Sequence, residues 1–109
     1  MYNLAVKIVR FVDDPQPGWV ASEFVDAEGR RHSVVDKVPV LGFDYLDASS
    51  KYPQSSSARC EVLERWRDGL GRELARISLA SPDGIETTEG LTEFVVLSTQ
   101  ISVSTEGGT

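Results

Sequence analysis

The chain has 109 residues, a net charge of −6 and an ordinary globular composition, 40% hydrophobic and 26% charged. This length predicts a single domain with one modest core. The acidic charge disfavours nucleic-acid partners, whose binding depends on Lys and Arg neutralising phosphates, and it disfavours anionic membrane surfaces. No run approaches the ~20 apolar residues of a membrane helix, and the start lacks a secretory pattern. We therefore expect a soluble cytoplasmic protein.

The residue types that carry catalysis and metal binding are scarce. Cys60 is the only cysteine and His32 the only histidine, so neither a disulfide nor a four-ligand zinc site is available within the chain. No glycine-rich phosphate motif occurs. We predict no catalytic, metal or cofactor site and therefore no cofactor. A Cys60–His32 dyad is the remaining nucleophilic candidate; otherwise Cys60 is a small core residue and His32 a rim residue following a turn.

The first half of the chain predicts three strands. Apolar alternation favours strands over residues 4–12, 19–26 and 31–41. Two prolines and a glycine break the chain within residues 13–18. Pro39 lacks an amide donor, so the third strand either ends there or lies at a sheet edge.

Residues 42–57 form the longest irregular region. Its large side chains are Phe43, Tyr45, Leu46 and Tyr52. Connections of this length usually cap a core or carry function. The aromatic side chains therefore either plug one end of a barrel or line a binding loop.

Residues 59–77 have two interpretations, and the choice between them decides the fold. Leu63, Trp66 and Leu70 lie three or four positions apart, as on one face of a helix. Gly69 and Gly71 oppose a helix, because each costs about 1 kcal/mol in a helix interior. Asp68 instead suits the first position of a type I turn, with Gly71 as the left-handed residue that follows such turns in hairpins.

An internal repeat favours the hairpin. Residues 26–30 and 68–72 share the pattern Asp-x-x-Gly-Arg, each with an aromatic residue two positions before the Asp. The first copy has no helical stripe. We therefore predict two hairpins, with an α+β domain containing one helix at 59–77 as the alternative.

The remaining elements complete a mainly β protein. Residues 81–84 predict a turn and 92–97 a strand, which Ile101 and Val103 extend. The total is about six strands, typical of a small antiparallel barrel or sandwich built around the two hairpins. We predict one β domain over residues 1–104 and a flexible tail over 105–109.

The exposed aromatic and arginine residues are the best candidates for a binding surface. We predict that Trp19 and Trp66 pack at the ends of strands; if exposed, they become candidates for a protein partner. Five of the 11 basic residues fall in the second hairpin. Glutamates between them indicate a mixed-charge ribbon, although a local positive patch is the alternative. The predicted interaction surface comprises Phe43, Tyr45, Tyr52, Arg65, Trp66 and Arg67.

Three functions remain open from sequence. The first is a non-catalytic protein-interaction or accessory module, of which a toxin-neutralising immunity protein is one form. The second is a small hydrolase-like enzyme using acidic residues, with Glu86, Glu89 and His32 as candidates. The third is a structural subunit whose strand edge, at residues 92–97, pairs with a second copy. The partner is accordingly another protein or a second copy of this chain.

Overall fold

The computed structural model describes residues 1–13, 18–41, 46–47 and 49–103. These residues form an antiparallel, mainly β domain with no α-helix among them. The strands are β1 (Tyr2–Asp13), β2 (Trp19–Val25), β3 (Arg31–Lys37), β4 (Gln54–Arg67), β5 (Glu73–Ser78), β6 (Glu93–Leu97) and β7 (Ile101–Val103). Short 3-10 turns follow β3 and β6, at Val38–Leu41 and Ser98–Gln100.

The sheet has the order β3-β2-β1-β4-β5-β6, with β7 returning to pair with β1. One edge of β1 pairs with β4 from Tyr2 to Ile8. The other edge pairs with β7 over Tyr2–Leu4 and with β2 from Lys7 onward. Because β6 leads into β7, the pairing of β7 with β1 curls the sheet into a partial barrel.

The interior of this curled sheet holds one apolar core. Leu4 and Ile8 of β1, together with Val20 of β2 and Ile77 of β5, are fully buried. Leu41 and Ile85 lie in connections and close the core from outside the sheet. The alternation of β1 is interrupted by a register shift between Ile8 and Arg10. This bulge explains why the sequence becomes apolar at adjacent positions there.

The hairpin interpretation of residues 59–77 is confirmed, and the alternative helix is wrong. β4 and β5 pair from Glu61↔Ser78 to Arg67↔Glu73. Gly71 adopts a positive φ of 80°, as the left-handed position of the predicted turn requires. Gly69 and Gly71, which oppose a helix, are therefore accommodated in a turn.

The two Asp-x-x-Gly-Arg repeats fold into the same turn. Asp26 Oδ1 accepts the N–H groups of Glu28 and Arg30 at 2.9 and 3.0 Å. Asp68 Oδ1 accepts the corresponding N–H groups, two and four residues later, at 2.9 Å each. The repeat in the sequence is therefore a repeat of hydrogen bonding, in which the carboxylate holds the two amides of a type I turn.

A third turn uses the same geometry with a different residue. Thr87 Oγ1 accepts the N–H groups of Glu89 and Leu91 at 3.3 and 3.1 Å, and Gly90 has a φ of 83°. The sequence does not reveal that this turn is equivalent to the other two, because a hydroxyl replaces the carboxylate.

Two details of the predicted strands need correction. The third strand ends at Lys37 rather than at residue 41, and residues 38–41 form a 3-10 turn. The strand thus ends just before Pro39 and also lies at a sheet edge, the two outcomes that the missing amide donor predicts. Ile101 and Val103 do not extend the strand at 92–97; they form the separate strand β7 after a 3-10 turn. The predicted tail at 105–109 lies outside the described residues.

Candidate interaction surface

The predicted arginines and Trp66 lie at the far end of the β4–β5 hairpin. Residues 54–60 of β4 pair with β1, whereas Glu61–Arg67 pair with β5. The second part of β4 therefore extends beyond β1. We call the residues of this end, Leu63, Arg65, Trp66, Arg67, Leu70 and Glu73, the hairpin surface.

Three large apolar side chains of the hairpin surface are open to solvent. Leu70, at the centre of the turn, is 81% exposed, and Trp66 is 37% exposed. Leu63 lies at the register shift between Val62 and Glu64, so it has no direct partner on β5. The expectation that Trp66 packs at a barrel end is therefore wrong. Its partner across the strands, Leu74, is buried. Trp66 itself lies on the part of β4 that extends beyond β1 and remains exposed.

The hairpin arginines are largely neutralised by neighbouring carboxylates. Arg67 lies 2.9 Å from Glu73, and Arg72 lies 2.8 Å from Asp68. Arg76 contacts both Glu64 and Glu93. Arg59 pairs with Asp83 at 2.6 Å. This is the mixed-charge ribbon predicted from the interspersed glutamates, rather than a positive patch.

Arg65 is held differently from the other hairpin arginines. Its guanidinium carbon lies 5.5 Å from the centroid of the Tyr2 ring, within the range of a cation–π interaction. No ion pair joins Arg65 to another of the described residues. Arg65 is therefore the hairpin arginine available to an anionic group on a partner.

Two shallow concavities flank the Arg67–Glu73 pair. One, of about 260 Å³, is lined by Arg65, Trp66 and Leu74 among others. The second, of about 420 Å³, lies towards the turn and includes Gly71 and Leu97. Of the exposed apolar side chains, Trp66 thus lies next to a depression in which a side chain of a partner has room to insert.

The irregular region is remote from the hairpin surface. Tyr52 precedes β4, whereas Arg65–Arg67 end it, and the 14 residues of β4 span about 40 Å at 3.3 Å per residue. Tyr52 is half-buried against the core and donates its hydroxyl to Asp47 O at 2.8 Å. Burial raises the pKa of this hydroxyl. Leu46 is buried, as the core-capping interpretation predicts. Phe43 and Tyr45 lie outside the described residues.

His32 is buried in the core, so its prediction as a rim residue is wrong. The residue is only 5% exposed. Its ring packs against Phe24 and Phe94, with ring centroids 5.2 and 4.6 Å away. Its Nε2 lies 2.8 Å from Asp26 Oδ2. Its Nδ1 is buried without a hydrogen-bond partner among the described residues. The pair joins the first turn to the core.

The chemical environment of Asp26 favours its charged form. Burial opposes ionisation, but hydrogen bonds from His32, Arg30 and Glu28 outweigh it and lower the pKa of Asp26. In the second turn, the backbone hydrogen bond from Arg72 lowers the pKa of Asp68, with its side chain contributing further. Both carboxylates act as structural acceptors in their turns.

The candidate catalytic groups do not assemble into a site. β1 and β2 separate Cys60 on β4 from His32 on β3, so the two predicted hairpins do not pair directly. Burial raises the pKa of the Cys60 thiol to about 11, which disfavours a nucleophilic thiolate. Glu86 and Glu89 are exposed, and no described hydrogen bond joins either side chain to His32.

In the described part of the chain, no three His, Cys, Asp or Glu side chains gather as metal ligands. No helix within it has both the length and the apolar character needed to cross a membrane.

Sequence reasoning missed Leu70 and Leu63 as surface residues. Leu70 belongs to the helical stripe if the segment is a helix, and only the hairpin places it at the centre of a turn. Leu63 carries no comparable signal, because a bulge depends on the register with β5.

Comparisons with protein-family models, with curated proteins and with solved structures found no match to this chain.

Proposed function

We propose that this protein is a non-catalytic interaction module that binds another protein through the hairpin surface. The observation that carries the proposal is the exposure of Leu63, Trp66 and Leu70 on one projecting hairpin. Exposed apolar side chains grouped on one element, with a polar rim, are characteristic of binding surfaces. Tryptophan is also among the residues that most often dominate binding energy.

The charges around the patch support a protein partner with complementary rim contacts. The Arg67–Glu73 pair is solvent-exposed on both sides, so it can exchange partners at little cost. Arg65 can pair with a carboxylate on the partner while keeping its contact with Tyr2. An immunity-type inhibitor is one form of such a module.

An enzyme using acidic residues receives less support. His32 lies with its Nε2 against Asp26 and its ring between two phenylalanines. Glu86 and Glu89 are exposed acidic residues without a described link to it. The hairpin surface, by contrast, combines exposed apolar area with concavities.

The test uses the full chain immobilised as bait in lysate of its native cells. We expect one protein to be captured at near-stoichiometric amounts by the wild type. Trp66→Ala and Leu70→Ser should each reduce this capture at least about tenfold, the loss expected from about 1.4 kcal/mol of binding energy.

The matched control is Leu91→Ser. Leu91 is another large apolar residue, 41% exposed but outside the hairpin, and its substitution should leave capture unchanged. Capture of no stoichiometric protein, or of one retained equally by Trp66→Ala and Leu70→Ser, would contradict the proposal.

A further inference from the structure

The edge of β1 that faces β2 and β7 contains a gap. β7 pairs with this edge over Tyr2–Leu4, and β2 pairs with it only from Lys7 onward. At Ala5 and Val6 the described pairing on this edge involves neither strand. β2 leaves β1 here because the turn that follows β2 binds β6, where Ala27 N–H donates to Val95 O at 2.8 Å. The sheet therefore forks at Ala5 and Val6.

A cavity of about 460 Å³ lies at this fork. Its volume is within the range of pockets that bind small organic molecules, about 300–1,000 Å³. Ala5 and Val6 of β1 contribute to its lining, as do Phe24 and Val25 at the end of β2. The Gln100 side chain spans the fork, because its Nε2 donates to Val25 O at 2.8 Å.

Two cationic side chains and one carboxylate also line the cavity. They are Lys7, Arg31 and Glu23. Arg31 approaches Glu23 only to 3.8 Å and its side chain is 70% exposed, so this ion pair is weak. No ion pair joins Lys7 to another of the described residues. The cavity thus has a net charge of +1 on a protein whose overall charge is −6.

We propose that this fork binds a small monocarboxylic acid with an apolar body. Lys7 and Arg31 hold the carboxylate, and the apolar body contacts Ala5 and Val25, which are exposed on the same face of the sheet. A monoanion matches the net charge of the lining, whereas Glu23 repels the second charge of a phosphate dianion. Arginine also suits carboxylate geometrically, because its planar fork of N–H donors can bind both oxygens. This site is separate from the hairpin surface and does not depend on the proposed protein partner.

The test is a titration of the ¹⁵N-labelled full chain with benzoate, followed by amide chemical shifts. We expect saturable shifts centred on Ala5, Val6, Lys7 and Gln100. Benzamide, which has the same ring without the charge, should bind at least about tenfold more weakly. Inorganic phosphate should also bind more weakly than benzoate. Comparing the three probes on the wild type keeps the test independent of any variant.

Single-residue variants then test whether the Lys7 ammonium group binds the carboxylate. Lys7→Met should weaken benzoate binding about tenfold. Lys37→Met removes the same charge at the end of β3 away from Arg31 and should leave benzoate binding unchanged. The proposal is overturned if benzoate shifts fail to saturate by about 50 mM, well above the millimolar scale of weak specific binding. It is also overturned if benzamide or phosphate binds as tightly as benzoate, if the shifts centre elsewhere, or if a folded Lys7→Met binds benzoate like the wild type.

Discussion

The turns of the β2–β3 and β4–β5 hairpins have the same sequence pattern and the same internal hydrogen bonds but different surroundings. In the first turn, Asp26 Oδ2 pairs with the buried His32. In the second, Asp68 Oδ2 pairs with Arg72 at the surface, at 2.8 Å. The first turn binds β6 through Ala27, whereas Gly69, at the equivalent position, has no described acceptor for its N–H.

This difference separates what the motif determines from what the rest of the chain determines. Asp-x-x-Gly-Arg specifies the turn through its Asp carboxylate and its left-handed Gly. The neighbouring strands decide whether that turn is packed or projects. The third turn supports this division: Thr88, at the position of Ala27, donates its N–H to Ser33 O at 2.9 Å. Two of the three turns therefore donate this backbone N–H to a neighbouring strand, and the hairpin whose turn lacks that hydrogen bond carries the exposed apolar side chains.

The two turns do meet at one point. Arg72 Nη1 of the second turn donates to Ala27 O of the first, at 3.0 Å. This contact fixes the base of the second turn, while Leu70 at its centre stays open to solvent. The projecting hairpin is thus anchored to the barrel without being covered by it.

The largest predicted effect is a difference in the stability lost when an aromatic residue is removed from each of the two regions. Phe94 packs against both His32 and Phe24, with ring centroids 4.6 and 5.1 Å away. Phe94→Ala should destabilise the protein by about 3–5 kcal/mol, the usual cost of removing a buried phenylalanine. Trp66→Ala removes a larger side chain from the projecting hairpin and should cost only about 1–2 kcal/mol. Urea unfolding measures both, and equal losses would contradict the structural difference.

The glycines of the turns should behave alike in both regions. Gly29 and Gly71 have φ values of 85° and 80°, and an added Cβ would meet no atom within 4 Å at either position. Gly29→Ala and Gly71→Ala should therefore each cost about 1–2 kcal/mol through backbone strain alone. Gly69→Ala is the control, because Gly69 has no positive φ. A much larger cost at Gly29 than at Gly71 would contradict this and would show that the first turn has a second, steric requirement for glycine.

The smallest predicted effect is a shared dependence on acid. Hydrogen bonds lower the folded-state pKa of Asp26 and of Asp68 below the ordinary value of 3.8. The unfolded chain therefore binds these protons first as the pH falls, so the stabilisation is complete above 3.8 and is lost below it. Asp26→Asn and Asp68→Asn should each flatten the fall in unfolding free energy at acid pH. Urea melts over that interval measure the slope, and an unchanged slope in both variants would refute the role of these carboxylates.

Local chemistry accounts for the parts of the fold that were predictable. The two Asp-x-x-Gly-Arg turns and the β4–β5 hairpin follow from Asp68, Gly69 and Gly71, which act within a few residues. The strand over residues 92–97 follows from its alternation. These features need no knowledge of distant contacts, because turn chemistry and a period of two determine them.

Non-local packing accounts for the features that sequence alone did not predict. The sequence predicts His32 at a rim, but β3 turns its ring inward between Phe24 and Phe94. β7 separates from β6 because residues 98–100 form a 3-10 turn. Trp66 and Leu70 gain their exposure from how far the hairpin extends beyond β1, which depends on the register of β4 with two neighbours. The fork at Ala5 and Val6 likewise arises only where β2 and β7 approach the same edge.

Amide hydrogen exchange at Ala27 and Gly69 tests the central difference most directly. The two amides occupy the same position of the same turn, but only Ala27 N–H donates to a neighbouring strand. After correction for intrinsic rates, we predict that Ala27 exchanges at least about 100-fold more slowly than Gly69, because its exchange requires local opening. Equal protection of the two amides would contradict the account of one packed turn and one projecting hairpin.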